Sequence, residues 1–352
     1  MILRKLSLND FRNYASREFD FEDGINIVVG DNAVGKTNLL EAINLLSVGE
    51  SFRAKIIDEM VRFDAELGRV VGNIVNGKKE VTELEIMVTR GMVAGKRVAK
   101  RKFLVEGIAK RKSDFVGLLP VVIFRPEDME LLDGSPGYRR RFLDFALVKV
   151  DQAYERNSVT YEQALRRRNK LLMGMREGTV NRYALTFWDG LLIRHGNELQ
   201  QKREDFVAFV NNLWSRSDLF NKLKLVYDKS TISESRLEQY KEEEVLVGYT
   251  LVGPHKDDFM VVADGKRELD LYGSRGEKRM AVLALKMGEI YFVESVKNEK
   301  PVLLLDDVFS ELDNLHREEV LRLMQERQVV VTTADRDEVK RFAEAKVIEV
   351  VV

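Results

Sequence analysis

Gly30-Asp31-Asn32-Ala33-Val34-Gly35-Lys36-Thr37 is the stretch that decides the fold. It fits the pattern G-x-x-x-x-G-K-[ST], in which loop N–H groups and the start of a helix form a cradle for phosphate. The apolar run Gly24–Gly30 leads into it and predicts a buried strand, while Lys36–Val48 has the apolar spacing of a helix. Strand, glycine loop and helix therefore follow one another, as a phosphate-binding loop requires.

The residue types in this segment predict a bound nucleotide phosphate and Mg²⁺. Lys36 adds a positive charge for the β- and γ-phosphates, and the Thr37 hydroxyl is a ligand suited to Mg²⁺. Lys36 is therefore a candidate catalytic residue and Thr37 a candidate metal ligand. The candidate nucleotide-binding residues of the segment are Gly30, Asn32, Gly35, Lys36, Thr37 and Asn38.

A second segment supplies the acids that such a site needs. Val302–Leu305 is an apolar run typical of a buried strand, and Asp306 and Asp307 follow it directly. We expect Asp306 at the carboxyl end of the strand as a metal ligand, and Asp307 as the catalytic residue that polarises an attacking water. Alone, this pattern is equally typical of a core strand with two solvated acids, but its pairing with the glycine loop favours the catalytic interpretation.

Ser274 and Gly276 form a third candidate phosphate-binding feature. They lie in Leu271–Arg279, at the start of a helix predicted from about Gly276 to Val296. A hydroxyl and a glycine at a helix N-terminus can bind phosphate, although the same pattern is often only a helix cap.

Length and composition exclude several classes of protein. The 352 residues suggest about two domains, and the 57 basic and 58 acidic residues argue against a globally basic nucleic-acid binder. The absence of cysteine excludes disulfides, cysteine zinc sites, iron–sulfur clusters and thiol nucleophiles. No apolar run approaches the roughly 20 residues of a membrane helix, and the start of the chain lacks a secretory core. We therefore expect a cytoplasmic protein without a membrane partner.

The periodicity of apolar residues predicts an α/β protein with two lobes. Between about Pro136 and Glu244 apolar residues recur at helical spacing, so a helical insertion is expected, and strand character returns at Val245–Val262. Lobe I is predicted to be a P-loop ATPase head with a mixed sheet, comprising residues 1–120 and 297–352. Lobe II, residues 121–296, is predicted to be mainly helical, without a long coiled coil. Other predicted strands are Met1–Asp10, Arg17–Phe21, Val70–Val105, Pro120–Phe124, Pro301–Leu305 and Gln328–Thr333.

The combined motifs resemble those of the ATP-binding-cassette (ABC) ATPases, whose signature motif lies where Ser274 does. Ser310–Asp313 resembles the D-loop of that superfamily. Within it, the chain is similar to the RecF family of bacterial DNA repair proteins, which is related to the head domains of structural-maintenance-of-chromosomes (SMC) and double-strand-break-repair ATPases. The matching strings are Phe11–Tyr14, Phe124–Asp128, Gly134–Pro136, Arg140–Asp144, Arg167–Leu172 and Gly253–Asp258.

The resemblance implies a weak, DNA-stimulated ATPase of DNA repair, replication, recombination and the SOS response. It implies an ATP-dependent homodimer in which Lys36 and Thr37 act on the nucleotide of their own subunit, and Ser274 and Gly276 on that of the other. The dimer would hold double-stranded DNA or gap junctions and act with RecR and RecO to load RecA. Arg12 is implied to lie near the nucleotide.

Several positions depart from the family pattern. Ala33 stands where an inner glycine is usual, and if that position needs a positive φ the alanine costs on the order of 1 kcal/mol. Glu277 stands where many relatives carry glutamine, so a carboxylate replaces an amide donor. Asp307 is shorter than the glutamate of transporters, which fits slow hydrolysis, and Thr332–Asp335 stands in place of a switch histidine.

DNA binding by a nearly neutral chain requires a local concentration of positive charge. Each basic cluster is, by itself, slightly more typical of a solvated face, but we expect at least one to contact DNA. His255, His316, Trp188, Trp214 and the pair Asp257–Asp258 are expected to be structural, and the three histidines are too scattered along the sequence to predict a metal cluster. The basic clusters are Lys96–Lys102, Lys110–Lys112, Arg139–Arg141 and Arg166–Arg168.

Other classes of protein remain as alternatives. An SMC-type head would need long coiled-coil heptads between its two ATPase halves, and the sequence has none. A transporter subunit would need a Q-loop and a switch histidine, and a P-loop kinase would need an acceptor site but not Ser274. A DNA-binding module whose ATPase only sets its lifetime on DNA is compatible with the same motifs.

Overall fold

The computed structural model describes residues 1–310, 314–335, 339, 342 and 345–350. The chain divides into two compact units, of which unit 1 comprises residues 1–128 and 289–352 and unit 2 comprises 129–288. The helices are α1 (Lys36–Val48), α2 (Lys112–Phe115), α3 (Glu130–Asp133), α4 (Pro136–Val148), α5 (Gln152–Arg176), α6 (Thr186–Ser215), α7 (Glu234–Val247), α8 (Leu269–Tyr272), α9 (Arg275–Lys297) and α10 (Asn314–Met324). The strands are β1 (Ile2–Phe11), β2 (Tyr14–Asp20), β3 (Ile25–Val29), β4 (Leu67–Val75), β5 (Val81–Thr89), β6 (Met92–Val93), β7 (Lys96–Arg97), β8 (Arg101–Val105), β9 (Ile108–Lys110), β10 (Val121–Phe124), β11 (Leu223–Asp228), β12 (Asp258–Ala263), β13 (Arg267–Glu268), β14 (Val302–Asp306), β15 (Val329–Thr333) and β16 (Lys346–Glu349).

Helix α1 is the centre of unit 1 and is buried along almost its whole length. It contacts both an antiparallel sheet, ordered β2-β1-β4-β5-β8-β9, and a parallel sheet, ordered β10-β14-β15-β3-β16. Leu39, Ile43 and Leu46 join side chains of both sheets in one apolar core. A helix that is buried on nearly all sides fits such a position between two layers, and here the buried face also includes Glu41, Asn44 and Ser47. The N-terminus of α1 is thereby fixed at the carboxyl edge of the parallel sheet.

Unit 2 is mainly helical, as the sequence predicts. Helices α5 and α6 have 25 and 30 residues and pack against each other as an antiparallel pair. Their direction follows from the contacts of Tyr154 with Arg203 and of Arg168 with Asp189. A small antiparallel sheet, ordered β11-β12-β13, completes the unit. The described part of the chain contains no long coiled coil.

A buried ionic network holds the Gly253–Asp258 string in unit 2. The Asp257 carboxylate is fully buried and accepts hydrogen bonds from Arg203, Gln200 and the Tyr227 hydroxyl. His255 contacts the Tyr161 hydroxyl at 2.7 Å, and burial lowers the pKa of His255 to about 4. These residues therefore have structural partners.

Three expectations about elements were wrong. Strand β11 lies within the stretch expected to be wholly helical, and it was missed because one short strand, whose partner β12 lies far along the chain, leaves little periodic signal. The alternation after Val245 is the end of α7, which stops at Gly248 in a left-handed conformation, and strand structure begins only at Asp258. The strand β10 pairs with β14, so it belongs to unit 1 and not to lobe II, and unit 2 spans 129–288 instead of 121–296.

A membrane-spanning helix and a cluster of metal-binding side chains are both absent from the described residues. None of the helices there is both long and apolar enough to cross a bilayer. The His, Asp and Glu side chains described also form no group of three or more that could hold a metal ion by themselves.

Candidate nucleotide-binding site

The glycines of the phosphate loop are required by close packing. The loop occupies residues 30–35, between the end of β3 and the start of α1. A Cβ atom on Gly30 would lie 2.3 Å from the main-chain oxygen of Val350, and one on Gly35 would lie 2.6 Å from the Asn13 side chain. Gly35 also has a φ of 113°, which side chains rarely adopt. Both predicted glycines are thus structurally necessary, Gly30 where β3 ends and Gly35 where the loop turns into α1.

Two residues missed by sequence reasoning hold the loop from the turn between β1 and β2. The Asn13 amide donates to the main-chain oxygen of Val34 at 2.9 Å, and its oxygen accepts a bond from Asn38 at 2.8 Å. The Tyr14 hydroxyl donates to the main-chain oxygen of Gly35 at 3.0 Å. Burial raises the pKa of Tyr14 to about 12, so it remains a donor. The signal was the string Phe11–Tyr14, from which only Arg12 was selected.

The ammonium group of Lys36 lies inside the loop. It donates to the main-chain oxygens of Gly30 at 2.7 Å and Asp31 at 2.8 Å, and the residue is only 9% exposed. Burial lowers the pKa of Lys36, while the charges of Asp307, Asp306 and Asp31 oppose this shift. The loop therefore holds in place the lysine that is expected to bind the nucleotide phosphates.

Thr37 and Asp306 come together across the edge of the parallel sheet, as predicted for two metal ligands. The strand β15 lies between β14, which ends at Asp306, and β3, which leads to Thr37. The side chains of Thr37 and Asp306 therefore both lie near the last residues of β15. The Thr37 hydroxyl donates to Asp306 Oδ1 at 3.2 Å, and the Thr332 hydroxyl donates to the same oxygen at 2.7 Å. Burial raises the pKa of Asp306, against the effect of these two hydrogen bonds.

Thr332 also positions the second acid. Asp307 is exposed, and its main-chain N–H donates to the Thr332 main-chain oxygen at 3.2 Å. Its φ is 52°, an uncommon value for a residue with a side chain. The residue standing in place of a switch histidine is therefore bonded to both acids, a role that the sequence did not indicate.

Arg12 lies beside the loop but is engaged by unit 1 itself. Its guanidinium makes two bonds to the fully buried Glu41 carboxylate, at 2.8 and 2.7 Å, and a third to the Glu59 main-chain oxygen at 2.8 Å. It lines a cleft of about 690 Å³ in unit 1. Other residues that line this cleft are Asn13, Asn38, Arg53, Lys55, Asp58, Glu59, Val61, Phe63 and Arg90.

The Ser274 motif, which lies in unit 2, begins helix α9 with its donors already satisfied. The Ser274 main-chain N–H and hydroxyl both donate to Glu277 Oε2 at 2.9 Å, and Glu277 N–H donates back to Ser274 Oγ at 3.3 Å. This is a capping box. The Arg267 guanidinium binds both Glu277 oxygens and, with Ser274, lowers the pKa of Glu277 to about 2. Gly276 has open space where a side chain would be.

The structure distinguishes between individual cations of the predicted basic clusters, and Arg166 and Arg167 are exposed. Arg139 is bonded to both oxygens of Asp258, and Arg140 donates to the Asp257 main-chain oxygen at 2.8 Å. Arg168 is 1% exposed and ion-paired with Asp189 and Glu244. Arg139, Arg140 and Arg168 are therefore bonded within unit 2.

Lys96–Lys102 and Lys110–Lys112 instead lie together in unit 1, because β8 pairs with β9. The D-loop residues 311–313 lie outside the described residues.

Ala33 adopts a φ of 67°, the conformation that favours glycine at this position. Replacement of Ala33 by glycine is expected to stabilise unit 1 by about 1 kcal/mol, because the left-handed strain is removed. A rise of about 2 °C in Tm on thermal unfolding would follow. Ala109→Gly is the control, since Ala109 is exposed on β9 and its φ is not positive; it should lower Tm. An unchanged or lower Tm for Ala33→Gly would contradict the expected strain.

The phosphate loop between β3 and α1, with an acidic strand at the same sheet edge, defines a P-loop nucleotide-binding head of the ABC type. The RecF/RecN/SMC N terminal domain family matches residues 2–351. The DNA replication and repair proteins RecF of Bacillus thuringiensis (strain Al Hakam) and Bacillus cereus (strain AH187) are each 34% identical, over 99% of this chain and 97% of their own length. The chain belongs to the RecF family.

Solved structures agree with this assignment. The recombination mediator protein RecF-ATPrS in the RecFOR pathway superposes with a TM-score of 0.87 at 31% identity, covering 96% of this chain and 93% of its own. The corresponding RecF-ATP structure has a TM-score of 0.86 at 30% identity, with coverages of 96% and 92%. The ABC-type head with a mainly helical second unit, predicted from sequence, is thereby confirmed.

Proposed function

We propose that this protein binds and slowly hydrolyses ATP, and that its ATP-bound state holds double-stranded DNA during recombinational repair. The observation that carries the proposal is the convergence of Lys36, Thr37 and Asp306 on one loop at the carboxyl edge of the parallel sheet. The RecF-ATP structure of a relative supports the same ligand.

The triphosphate fits the loop 30–35 and the nucleoside fits the neighbouring cleft. The main-chain N–H groups at the start of α1 would bind the phosphates, and Lys36 would exchange its loop carbonyl partners for phosphate oxygens. The cleft offers Arg53 and Arg90 as cations and Phe63, which is 92% exposed, as an aromatic surface for a base. Asn32 is exposed on the loop, whereas Asn38 is held by Asn13. We assign Arg12 the role of shaping the cleft, since Glu41 engages it.

Mg²⁺ suits the oxygen pair of Thr37 and Asp306. Both are hard oxygen donors, they lie 3.2 Å apart, and Mg²⁺ usually takes few protein ligands and completes its shell with water and phosphate. When bound, the ion would neutralise phosphate charge. Thr332 keeps Asp306 Oδ1 oriented, so its hydrogen bond prearranges the carboxylate for this use.

Asp307 is the residue proposed to orient the attacking water. It is exposed next to Asp306, and its main chain is anchored to Thr332. A carboxylate with a short side chain reaches less far than glutamate, which is consistent with slow hydrolysis.

The proposed active form is a homodimer in which Ser274 and Gly276 of one subunit complete the phosphate site of the other. Support comes from the position of Ser274 at the start of α9, a helix of 23 residues whose N-terminus favours anions. Hydrolysis would remove the γ-phosphate that joins the two subunits and so release the dimer. RecR and RecO are the proposed protein partners, with which this protein would load RecA, in line with the RecFOR pathway named for the related structures.

Sedimentation velocity of the full chain tests this proposal. The protein should be monomeric without nucleotide and with ADP, dimeric with Mg-ATP, and larger again when a duplex DNA is added. A monomer under every condition, at concentrations that saturate ATP binding, would refute the two-subunit site.

A further inference from the structure

The connection between β5 and β8 is itself a two-stranded β-ribbon, formed by β6 and β7. It continues the pairing of the two longer strands, since Thr89 N–H donates to Lys100 at 2.9 Å and Val98 N–H to Gly91 at 3.0 Å. Ala94 and Gly95 have φ values of 48° and 74° and form the turn. Two consecutive residues with positive φ are typical of the tightest hairpins. The ribbon is therefore a regular β-hairpin and not an irregular loop.

The ribbon is anchored at its base and at its tip. The Arg90 side chain donates to the main-chain oxygens of Arg62 and Phe63, at 3.0 and 2.8 Å. The Ala94 N–H donates to the Glu66 carboxylate at 2.8 Å. Nevertheless every side chain from 94 to 100 is exposed. An isolated two-stranded ribbon is marginally stable at best, so these anchors hold in place a surface that offers its side chains to solvent.

Positive charge is concentrated on the ribbon and on the neighbouring β8 and β9. Between residues 90 and 112, Glu106 is the only acid. Some of the cations have partners: Lys100 is bonded to Asp58 and Lys112 to Glu50, both at 2.6 Å. Arg101 donates to the Gly49 main-chain oxygen at 2.8 Å. These three side chains are therefore engaged by partners within unit 1.

Apart from Arg90, the other cations of this stretch are exposed, and their side chains have no hydrogen-bond or ion-pair partner within the described residues. Two lie on the ribbon, and the others lie on or next to β8 and β9, which pair with each other. We name this set the ribbon edge. It consists of Lys96, Arg97, Lys102, Lys110 and Arg111.

We propose that the ribbon edge is the surface that binds the phosphate backbone of double-stranded DNA, with the β6–β7 ribbon placed in a groove. The major groove of B-DNA admits a two-stranded β-ribbon, and unpaired cations on either side of it would meet phosphates. The exposed apolar side chains Met92 and Val98, interspersed with the cations, suit contact with sugars and bases. This inference rests on the proposed DNA-binding function and names the surface that performs it.

The salt dependence of binding gives a specific expectation. Each phosphate neutralised adds about −0.9 to the slope of log affinity against log salt concentration. The triple variant Lys96→Ala, Arg97→Ala, Lys110→Ala should therefore flatten the slope by about 2 to 3 and weaken duplex binding at least about tenfold. None of the three residues lines the nucleotide cleft, so ATP binding without DNA should be unchanged.

The test is fluorescence anisotropy with a labelled duplex, in Mg-ATP, across a series of salt concentrations. The control variant removes the same charge from exposed positions of α5, by Arg167→Ala, Lys170→Ala, Arg176→Ala. Loss of affinity and slope in the ribbon variant alone supports the proposal. Equal losses in both variants, or a loss in the control alone, overturn it.

A second measurement uses the absence of cysteine from the chain. Val98→Cys on the ribbon and Met173→Cys on α5, 38% and 46% exposed, can each carry a photoactivatable crosslinker. Duplex DNA in Mg-ATP should be crosslinked from position 98 and not from position 173. Crosslinking at 98 to a second copy of the chain, instead of to DNA, overturns the assignment and makes the ribbon a protein interface.

Failure of the inference and failure of the proposed function give different results. If the unmodified protein binds duplex DNA and the ribbon variant binds it with the same affinity and slope, only the assignment of the surface is wrong. If the unmodified protein binds no duplex in Mg-ATP, both the DNA-binding function and the ribbon proposal are overturned.

Discussion

Replacement of Lys36 by methionine is expected to reduce ATP affinity at least about a hundredfold. The lysine supplies charge-assisted hydrogen bonds to phosphate, each contributing roughly 1.5–3 kcal/mol, and methionine keeps the length of the side chain but has no donor. Isothermal titration with ATP measures the loss directly. The rise in Tm that ATP gives to the unmodified protein should also disappear, since stabilisation by a ligand follows its affinity.

The stability of the protein without ATP should change little in this variant. Burial already lowers the pKa of Lys36, so its charge is held at a cost that methionine avoids, while the carbonyl groups of Gly30 and Asp31 lose a donor. Lys297→Met is the matched control, because burial also lowers the pKa of Lys297, which makes no hydrogen bond to the phosphate loop in the described structure. ATP affinity equal to that of the unmodified protein in Lys36→Met would show that the triphosphate binds elsewhere.

Glu277→Gln and Arg267→Gln are expected to shift the ATP-dependent dimer in opposite directions. In the proposed dimer, the γ-phosphate of one subunit must bind Ser274 of the other, where the Glu277 carboxylate now takes both donors of that serine. Glutamine removes the competing charge and adds an amide donor, and it preserves the capping box. Loss of Arg267 instead leaves the carboxylate without its neutralising partner.

The expected size is about tenfold per site, as for a hydrogen bond to a charged group. A symmetric dimer has two such sites, so the dimer dissociation constant should fall about a hundredfold in Glu277→Gln and rise in Arg267→Gln. Sedimentation across a range of protein concentrations in Mg-ATP measures both. Glu268→Gln, which changes the same charge one residue from Arg267, is the control. If Glu277 only caps α9, both substitutions will change the dimer dissociation constant in the same direction, or neither will change it.

The nucleotide site was predictable from sequence where its residues are close along the chain. The loop Gly30–Thr37 and the helix that follows lie in one segment, and their spacing alone places phosphate donors at a helix start. The acids Asp306 and Asp307 were predictable because an apolar run ending in a carboxylate indicates where a buried strand meets the sheet edge. The helical spacing of apolar residues indicated the second unit, and a hydroxyl and a glycine at a predicted helix start indicated the Ser274 motif.

The parts that the sequence did not predict depend on contacts between distant segments. Asn13 and Tyr14 hold the phosphate loop across the β1–β2 turn, and Thr332 joins both acids, although neither role has a periodic signal. Arg168 and Arg139 belong to basic clusters in the sequence, but their partners are acids brought near by folding. Burial and partner identity are properties of the packed chain, so a cluster of charges along the sequence cannot reveal which cations stay free.

The sequence by itself therefore determined the nucleotide-binding loop, the acidic strand, the two-unit α/β architecture and the family. Local spacing is enough for the loop and the acidic strand, because each depends on residues within one helix, strand or turn. The second unit follows from the helical spacing of a long segment, and the family follows from the resemblance of several strings along the chain. Only the tertiary structure decided that Ala33 takes a positive φ, that Glu277 occupies the donors of Ser274, and that the ribbon edge keeps its cations exposed. These depend on backbone conformation and on pairs of side chains that meet only when the chain packs.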